Sequence, residues 1–230
     1  THGAALTMEG SSRVDAARIC VSGGVSGRGS LIPPETGCSR LPDPLAAWSP
    51  PPVPDCEKGP QTIIGIRILE PGVYCGLLDV RMGSIVTFLP GIYYLKNGGL
   101  KVHGLATLLG VGVSFLMTGT STVDISNLST VVFSAPIAGP MAGIVLAHDH
   151  EAPDGLVHRL TGGSGIYYEG AVYLPRHDIV YQGSSLSANV PPFTTYIVRR
   201  LSIEGNALLI LNNLFALSEV PVVGKIGAGV

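Results

Sequence analysis

One short element recurs along this chain: an apolar residue, any residue, a second apolar residue, any residue, then glycine. Leu6, Met8 and Gly10 fit it, as do Leu100, Val102 and Gly104; Ile179, Tyr181 and Gly183; and Leu201, Ile203 and Gly205. Val123, Ile125 and Asn127 fit with asparagine in the glycine slot, and Met82-Gly83 fits with a one-residue shift. Alternation at period two marks a strand with one buried face. Glycine and asparagine are the residues that tolerate the left-handed region of backbone space. The pattern therefore predicts short strands, each ended by a bend at a fixed point, with Gly10, Gly83, Gly104, Asn127, Gly183 and Gly205 as the turn residues.

A longer period lies over the short one. Pro71-Gly72-Val73-Tyr74 and Pro90-Gly91-Ile92-Tyr93 begin 19 residues apart, and similar strand phrases follow each. About 20 residues per unit suits one coil of a solenoid, in which no coil buries its apolar edge until another stacks on it. No segment carries a sustained helical stripe. The expected fold is all-β: a single-stranded parallel β-solenoid (β-helix-like), right-handed, with a proline-rich disulfide-stapled loop. It is expected to form one domain over residues 1–230. An antiparallel sandwich or jelly roll is the alternative, but hairpin signals are sparse, limited to Asn97-Gly98 and Asp154-Gly155.

The loop is set apart by composition. Nine of the 18 prolines fall in residues 33–60, including Pro50, Pro51 and Pro52, and such a stretch cannot join a central sheet. It reads as an extended surface segment packed on the solenoid, with Leu45 or Trp48 as its anchor. All four cysteines lie in or beside it: Cys38 and Cys56 within, Cys20 before and Cys75 after. Their spacing matches no zinc pattern. Of three possible pairings, Cys20–Cys38 with Cys56–Cys75 is favoured because each bridge closes a short loop. Disulfides place the domain in an oxidising compartment, outside the cytoplasm. Charged residues are only 13% of the chain and the net charge is −2, which argues against nucleic acid as a partner. No apolar run is long enough to span a membrane, so membrane attachment is expected only through a segment absent from this chain.

Few residues suggest chemistry. His148-Asp149-His150-Glu151, with Asp154 and His158 nearby, is the one dense group of ligand-type side chains. On a strand, His148 and His150 would share a face and could share a metal; in a polar loop they would not, and Pro153-Asp154-Gly155 is a turn signal. Asp149 and Glu151 could serve as a carboxylate pair for polysaccharide cleavage. Gly162-Gly163-Ser164-Gly165 lacks the spacing of a nucleophile elbow, and Gly24-Val25-Ser26-Gly27-Arg28-Gly29 has no helix after it to cradle a phosphate. Tyr93, Tyr94, Tyr167, Tyr168, Tyr173 and Tyr181 read as ordinary strand residues or as an aromatic strip. Arg199-Arg200 reads as an edge-blocking pair. No cofactor is expected.

An ordered string of phrases resembles the extracytoplasmic region of TadG-like proteins of the tight-adherence (Tad, or Flp) pilus. It runs from Cys20-Val21-Ser22-Gly23-Gly24 through Asp43-Pro44-Leu45-Ala46, Pro54-Asp55-Cys56 and Leu69-Glu70-Pro71-Gly72-Val73-Tyr74-Cys75-Gly76. It continues with Gly112-Val113-Ser114-Phe115-Leu116-Met117-Thr118-Gly119 and Gly170-Ala171-Val172-Tyr173-Leu174-Pro175. Where that family tends to read F-F-Q-D-R, this chain reads Leu146-Ala147-His148-Asp149-His150. The resemblance implies a non-enzymatic role in assembling or anchoring a surface pilus, with other pilus or cell-envelope proteins as partners. A similarity to ice-binding solenoids, carried by the P-G-V-Y turn, keeps a surface-binding role (adhesin, glycan or ice) as the alternative. A polysaccharide-active β-helix enzyme is the third.

Overall fold

A computed structural model of the chain describes residues 4–15, 19–27, 33–39, 42–161, 165–182 and 191–223. Nearly every strand in it belongs to a β-solenoid of about eight turns. All strand pairs among the described residues are parallel. The one antiparallel contact there is an isolated bridge, Phe193 to Asn213. Parallel pairing throughout excludes the sandwich and the jelly roll, which are built from antiparallel strands.

Each full coil has three sides. The first side stacks Ile66–Leu69, Ile85–Phe88, Thr107–Val111, Thr130–Ser134 and the start of Gly165–Gln182. The second stacks the leading halves of Gly72–Val80 and Gly91–Val102, then Val113–Thr118, Ile144–His148 and the middle of Gly165–Gln182. The third stacks Gln61–Ile63, the trailing halves of the same long strands, Thr122–Ile125 and Val157–Thr161. Like residues meet along the inside. On the third side Val80, Val102, Ile125, Leu160, Tyr181, Ile203 and Met8 form one buried row. Full burial of such side chains contributes about 1.5–3 kcal/mol each. Aromatic rings pack the centre: Phe115 lies 5.2 Å from Phe88 and 4.9 Å from Phe133, and Tyr93 stacks 5.3 Å from Phe115. Tyr93 is fully buried, its hydroxyl 2.8 Å from the Leu69 and Leu89 carbonyls. Tyr168, Tyr173 and Tyr181 are buried too, so the tyrosines form no surface strip.

The coils do not stack in chain order. Ala4–Met8 pairs with Thr194–Glu204, placing Leu6 beside Leu201, and Arg13–Asp15 pairs with Leu208–Ile210. The amino-terminal coil therefore sits on the carboxy-terminal end of the stack. The chain then has to return to the opposite end, where Lys58 bridges Tyr74 and Gln61–Ile63 pairs with Gly72–Val80. The proline-rich segment makes that return. It runs along the second side as a strap and is fastened to Gly72–Val80 by the Cys56–Cys75 disulfide; the other bridge is Cys20–Cys38.

The corner between the third and first sides explains the glycine pattern. Gly10, Gly83, Asn127 and Gly205 there have φ of 67°, 75°, 47° and 69°. Gly104 departs from the expectation. The left-handed residue of its coil is the next one, Leu105, at φ 61°. Gly104 is needed for space instead, because a Cβ would stand 2.5 Å from the Asn127 carbonyl oxygen of the adjacent coil. Gly183 lies outside the described residues. Arg199-Arg200 lies beside the point where the amino-terminal strand begins to pair. Ala4–Met8 pairs with Thr194–Glu204 only from Leu201 to Ile203, so among the described residues Arg199 and Arg200 have a strand on one side only, and Arg199 also donates two hydrogen bonds to Asp178, at 2.9 and 2.7 Å.

Gly205→Val is expected to cost at least about 1–3 kcal/mol through left-handed strain. Gly104→Val is expected to cost at least as much through collision with the next coil. Thermal unfolding followed by circular dichroism checks both, and unchanged melting temperatures would refute the corner assignment.

Candidate functional site

The three outer surfaces differ in chemistry, and one of them is anomalous. On the first side the outward rows are apolar and uncovered. Ile66, Ile85, Thr107 and Thr130 stand in register, and beside them Ile68, Thr87, Leu109, Val132 and Tyr167. Leu89 and Val111 extend the surface toward one corner, and Ile64, Met82, Leu105 and Leu128 crown the other. Ile66 and Val111 are each 73% exposed, and Met82 is 70% exposed. No Asp, Glu, Lys or Arg points outward in these rows; Glu70 and Glu169 lie at one margin. Arg67, in register with the buried Val86 and Leu108, occupies an inward position on the terminal coil, and its guanidinium donates to the Ile66 carbonyl at 2.9 Å.

The second side is also apolar outside, but it is covered. Tyr94, Leu116, Ala147 and Tyr173 stand in register beneath the strap, which packs Leu45, Trp48 and Val53 against them. Trp48 donates from Nε1 to the Pro140 carbonyl at 3.1 Å and meets the Tyr173 ring edge-on at 5.5 Å. The Tyr173 hydroxyl donates to Asp43 Oδ2 at 2.8 Å. The third side is charged. Asp79, Lys101, Asp124 and Arg159 stand in register with alternating sign, and Asp79 also receives Arg81 at 2.8 Å and His103 at 2.7 Å.

The histidine-rich phrase is divided between inside and outside. Ile144–His148 ends at His148, so the alternation that would have put His148 and His150 on one face stops between them. His148 is buried, with Nε2 3.3 Å from the Ser121 carbonyl and Nδ1 3.2 Å from Asp149 Oδ1. His150 is outside, its Nε2 3.3 Å from the Trp48 carbonyl. The shared metal face is therefore not formed. Asp149, His150 and Glu151 line a cleft of about 620 Å3 together with the strap prolines, Lys96 and Thr118. Asp149 and Glu151 thus share this cleft, and Asp149 is engaged with His148. Asp154 is held apart by Arg176, whose hydrogen bond keeps its carboxyl below the usual range.

A second histidine group lies in the core. His148, His158 and His177 are all buried, with ring centroids 4.5 Å apart for His148–His177 and 5.5 Å for His158–His177. The Val123 N–H donates to His158 Nδ1 at 3.2 Å, which puts the His158 proton on Nε2, facing His177 Nδ1 at 3.5 Å. His177 then carries its proton on Nε2, a buried donor without a partner among the described residues. Burial lowers His158 to about 3 and His177 to about 4, and lowers His148 against the opposing pull of Asp149. The three donor sets do not converge as metal ligands. The one convergent group of three among the described residues is Cys20, Glu35 and Cys38, whose sulfurs are bonded to each other. Sequence reading missed His177 entirely; only the coil register, which pairs His158 with Ile179 and brings it under the Val123 N–H, places these rings inside.

No protein-family profile, curated protein or solved structure matches the chain.

The buried histidines make stability depend on pH in a defined sense. They are neutral when folded, whereas an unfolded histidine titrates near 6.5. Their full contribution is present above pH 6.5 and is lost as pH falls toward the folded values of about 4 and 3. By about pH 5, His158 alone is expected to remove roughly 2 kcal/mol. Denaturant midpoints measured between pH 7 and about pH 5 should fall, and the fall should be shallower in His177→Leu. A flat profile over this interval would contradict the assignment.

Proposed function

We propose that this domain is a non-enzymatic structural or assembly component of a bacterial surface apparatus of the tight-adherence pilus type, acting outside the cytoplasm. The observation that carries the reading is the uncovered first side, whose outward rows are aliphatic or threonine with acids only at one margin, on a disulfide-bridged solenoid. Large apolar patches on otherwise polar proteins mark interaction sites. The resemblance of the ordered phrases to TadG-like proteins suggests the kind of apparatus, and the two disulfides fit an oxidising compartment.

The alternatives have less support. An ice face wants threonines in regular ladders, but Thr107 and Thr130 lie in one row, Thr87 in another, and aliphatic side chains fill most of the remainder. Thr122 lies on the third side, not on this surface. A glycan-binding or hydrolytic role would fall to the cleft at Asp149, His150 and Glu151.

The test is co-purification from a cell envelope that carries a tight-adherence pilus. The wild-type domain is expected to bring pilus proteins with it. Ile68→Lys with Leu109→Glu should abolish this while leaving the circular dichroism spectrum intact, whereas Asp124→Lys on the charged side should not. Capture unaffected by the double variant would overturn the docking surface, and absence of pilus proteins with the wild type would overturn the apparatus.

A further inference from the structure

We propose that the cleft lined by the strap prolines, Lys96, Thr118 and Glu151 binds a neutral oligosaccharide. It lies on the second side of the solenoid, so the proposal is independent of the docking reading of the first side. The site forms where the second side changes character. Tyr94 and Leu116 belong to the apolar row that the strap covers. Two residues further along the same strands, and so on the same face, Lys96 and Thr118 stand in register. Asp149 follows on the next coil, its N–H donating to the Met117 carbonyl at 3.0 Å. Pro50, Pro51 and Pro52 line the same cleft. They have no N–H to offer and present ring faces and carbonyl oxygens.

Thr118 is the observation that points to a ligand. The residue is only 6% exposed, yet its hydroxyl has no hydrogen-bond partner among the described residues. Nor is the hydroxyl sealed off, because the one fully buried side-chain nitrogen or oxygen there without a partner is His177 Nε2. What remains open of Thr118 therefore opens onto the cleft it lines. The side chains of Lys96, Asn97 and Glu151, which line it too, also have no partner among the described residues. The third side differs: Asp79 there is paired with both Arg81 and His103. Asn97 is left-handed, with φ 55°, and Gly119 leaves room for its amide, since a Cβ at Gly119 would collide with Asn97 Oδ1. His150 donates from Nε2 to the Trp48 carbonyl, which leaves Nδ1 to accept.

The mixture of groups selects the class of ligand. A sugar hydroxyl donates and accepts at once, and a pyranose ring also has an apolar face. The cleft offers ammonium, amide and hydroxyl donors, carboxylate, imidazole and carbonyl acceptors, and the proline rings with Val53 as apolar surface. Charged ligands fit less well. A cation held by Asp149 and Glu151 would share the cleft with Lys96, and an anion held by Lys96 would share it with both carboxylates. An extended peptide finds no free strand edge at Lys96, which is paired with Cys75 on one side and Thr118 on the other. The volume, about 620 Å3, lies in the range of small-ligand sites and suits a short oligosaccharide.

Trp48 is the only tryptophan in the chain and its carbonyl holds His150, so its fluorescence reports on the cleft. The full chain, disulfides intact, is titrated with chitotriose and with cellotriose, followed by fluorescence and by calorimetry. At least one of the two should bind saturably, with a dissociation constant in the millimolar range. Trigalacturonate, of similar size but anionic, should bind at least about tenfold more weakly. Thr118→Val keeps the shape of the side chain and removes the hydroxyl. That hydroxyl has no partner to lose, so the melting temperature should hold or rise, while affinity for the neutral sugar falls about five- to tenfold. Glu151→Gln should weaken binding as well, whereas Asp124→Asn on the third side should not. No saturable binding of either neutral sugar by either readout would overturn the site, as would equal or tighter binding of trigalacturonate. Binding unchanged in both Thr118→Val and Glu151→Gln would overturn it too. Saturable binding of calcium chloride alone, tighter than that of either sugar and lost in Glu151→Gln, would assign the cleft to a cation and overturn the saccharide.

Discussion

Parallel stacking in register is the constraint from which the rest of this molecule follows. Each strand pairs with the equivalent strand about one coil away, so a given position meets its own counterpart above and below. A one-residue slip would turn every row inside out, which is why the corners matter. Gly10, Gly83, Asn127 and Gly205 set where each coil bends, and thereby which residues face in. The same register that assembles Val80, Val102, Ile125 and Leu160 into a core assembles the outward residues into rows of their own. Surface chemistry in such a fold comes as stripes, and a stripe of one character is a surface of one character.

The strap is the second constraint. With the amino-terminal coil stacked on the carboxy-terminal end, the connection must travel most of the length of the solenoid. Proline suits this route because it needs no backbone donor and fixes an extended path. Asp43, Leu45 and Trp48 hold the strap to Tyr173 and Pro140, and Cys56–Cys75 fixes its far end. Each disulfide closes a loop of 18 or 19 residues, for which the chain-entropy model gives about 3 kcal/mol. The strap also decides which apolar side is buried: it covers Leu116, Ala147 and Tyr173 and leaves Ile66, Ile68 and Leu109 bare.

What could be read from the sequence was local, and what could not be read was long-range. The solenoid was legible because alternation and left-handed corners are properties of five-residue windows. The anchoring of the strap at Leu45 and Trp48 was legible because isolated large apolar residues in a proline-rich stretch need somewhere to pack. Gly104 was misassigned in kind, since glycine for space and glycine for a positive φ look the same in one sequence, and Leu105 carries the strain without any signature. His148 and His150 were separated by the end of a strand, a boundary that no pattern marked. The core histidines were invisible because His158 and His177 come together only when one coil is laid on the next. The order of the coils, with the first stacked on the last, left no trace in composition or spacing.

The open face was present in the sequence as a failure of alternation. Ile66 to Leu69, Ile85 to Phe88, Thr107 to Val111 and Thr130 to Ser134 are apolar or threonine at nearly all their outward positions, where a solvated sheet would carry charge. The chain has charges to place, and it stacks them with alternating sign on the third side. It also guards the stack against growth: Arg67 puts a charge into the inward row of the terminal coil, where a further strand would have to bury it. The end of the solenoid is thus protected against edge-to-edge addition while its broad apolar side is not. A stack blocked at its edge and bare across its face leaves side-chain packing, rather than backbone pairing, as the contact open to a neighbour.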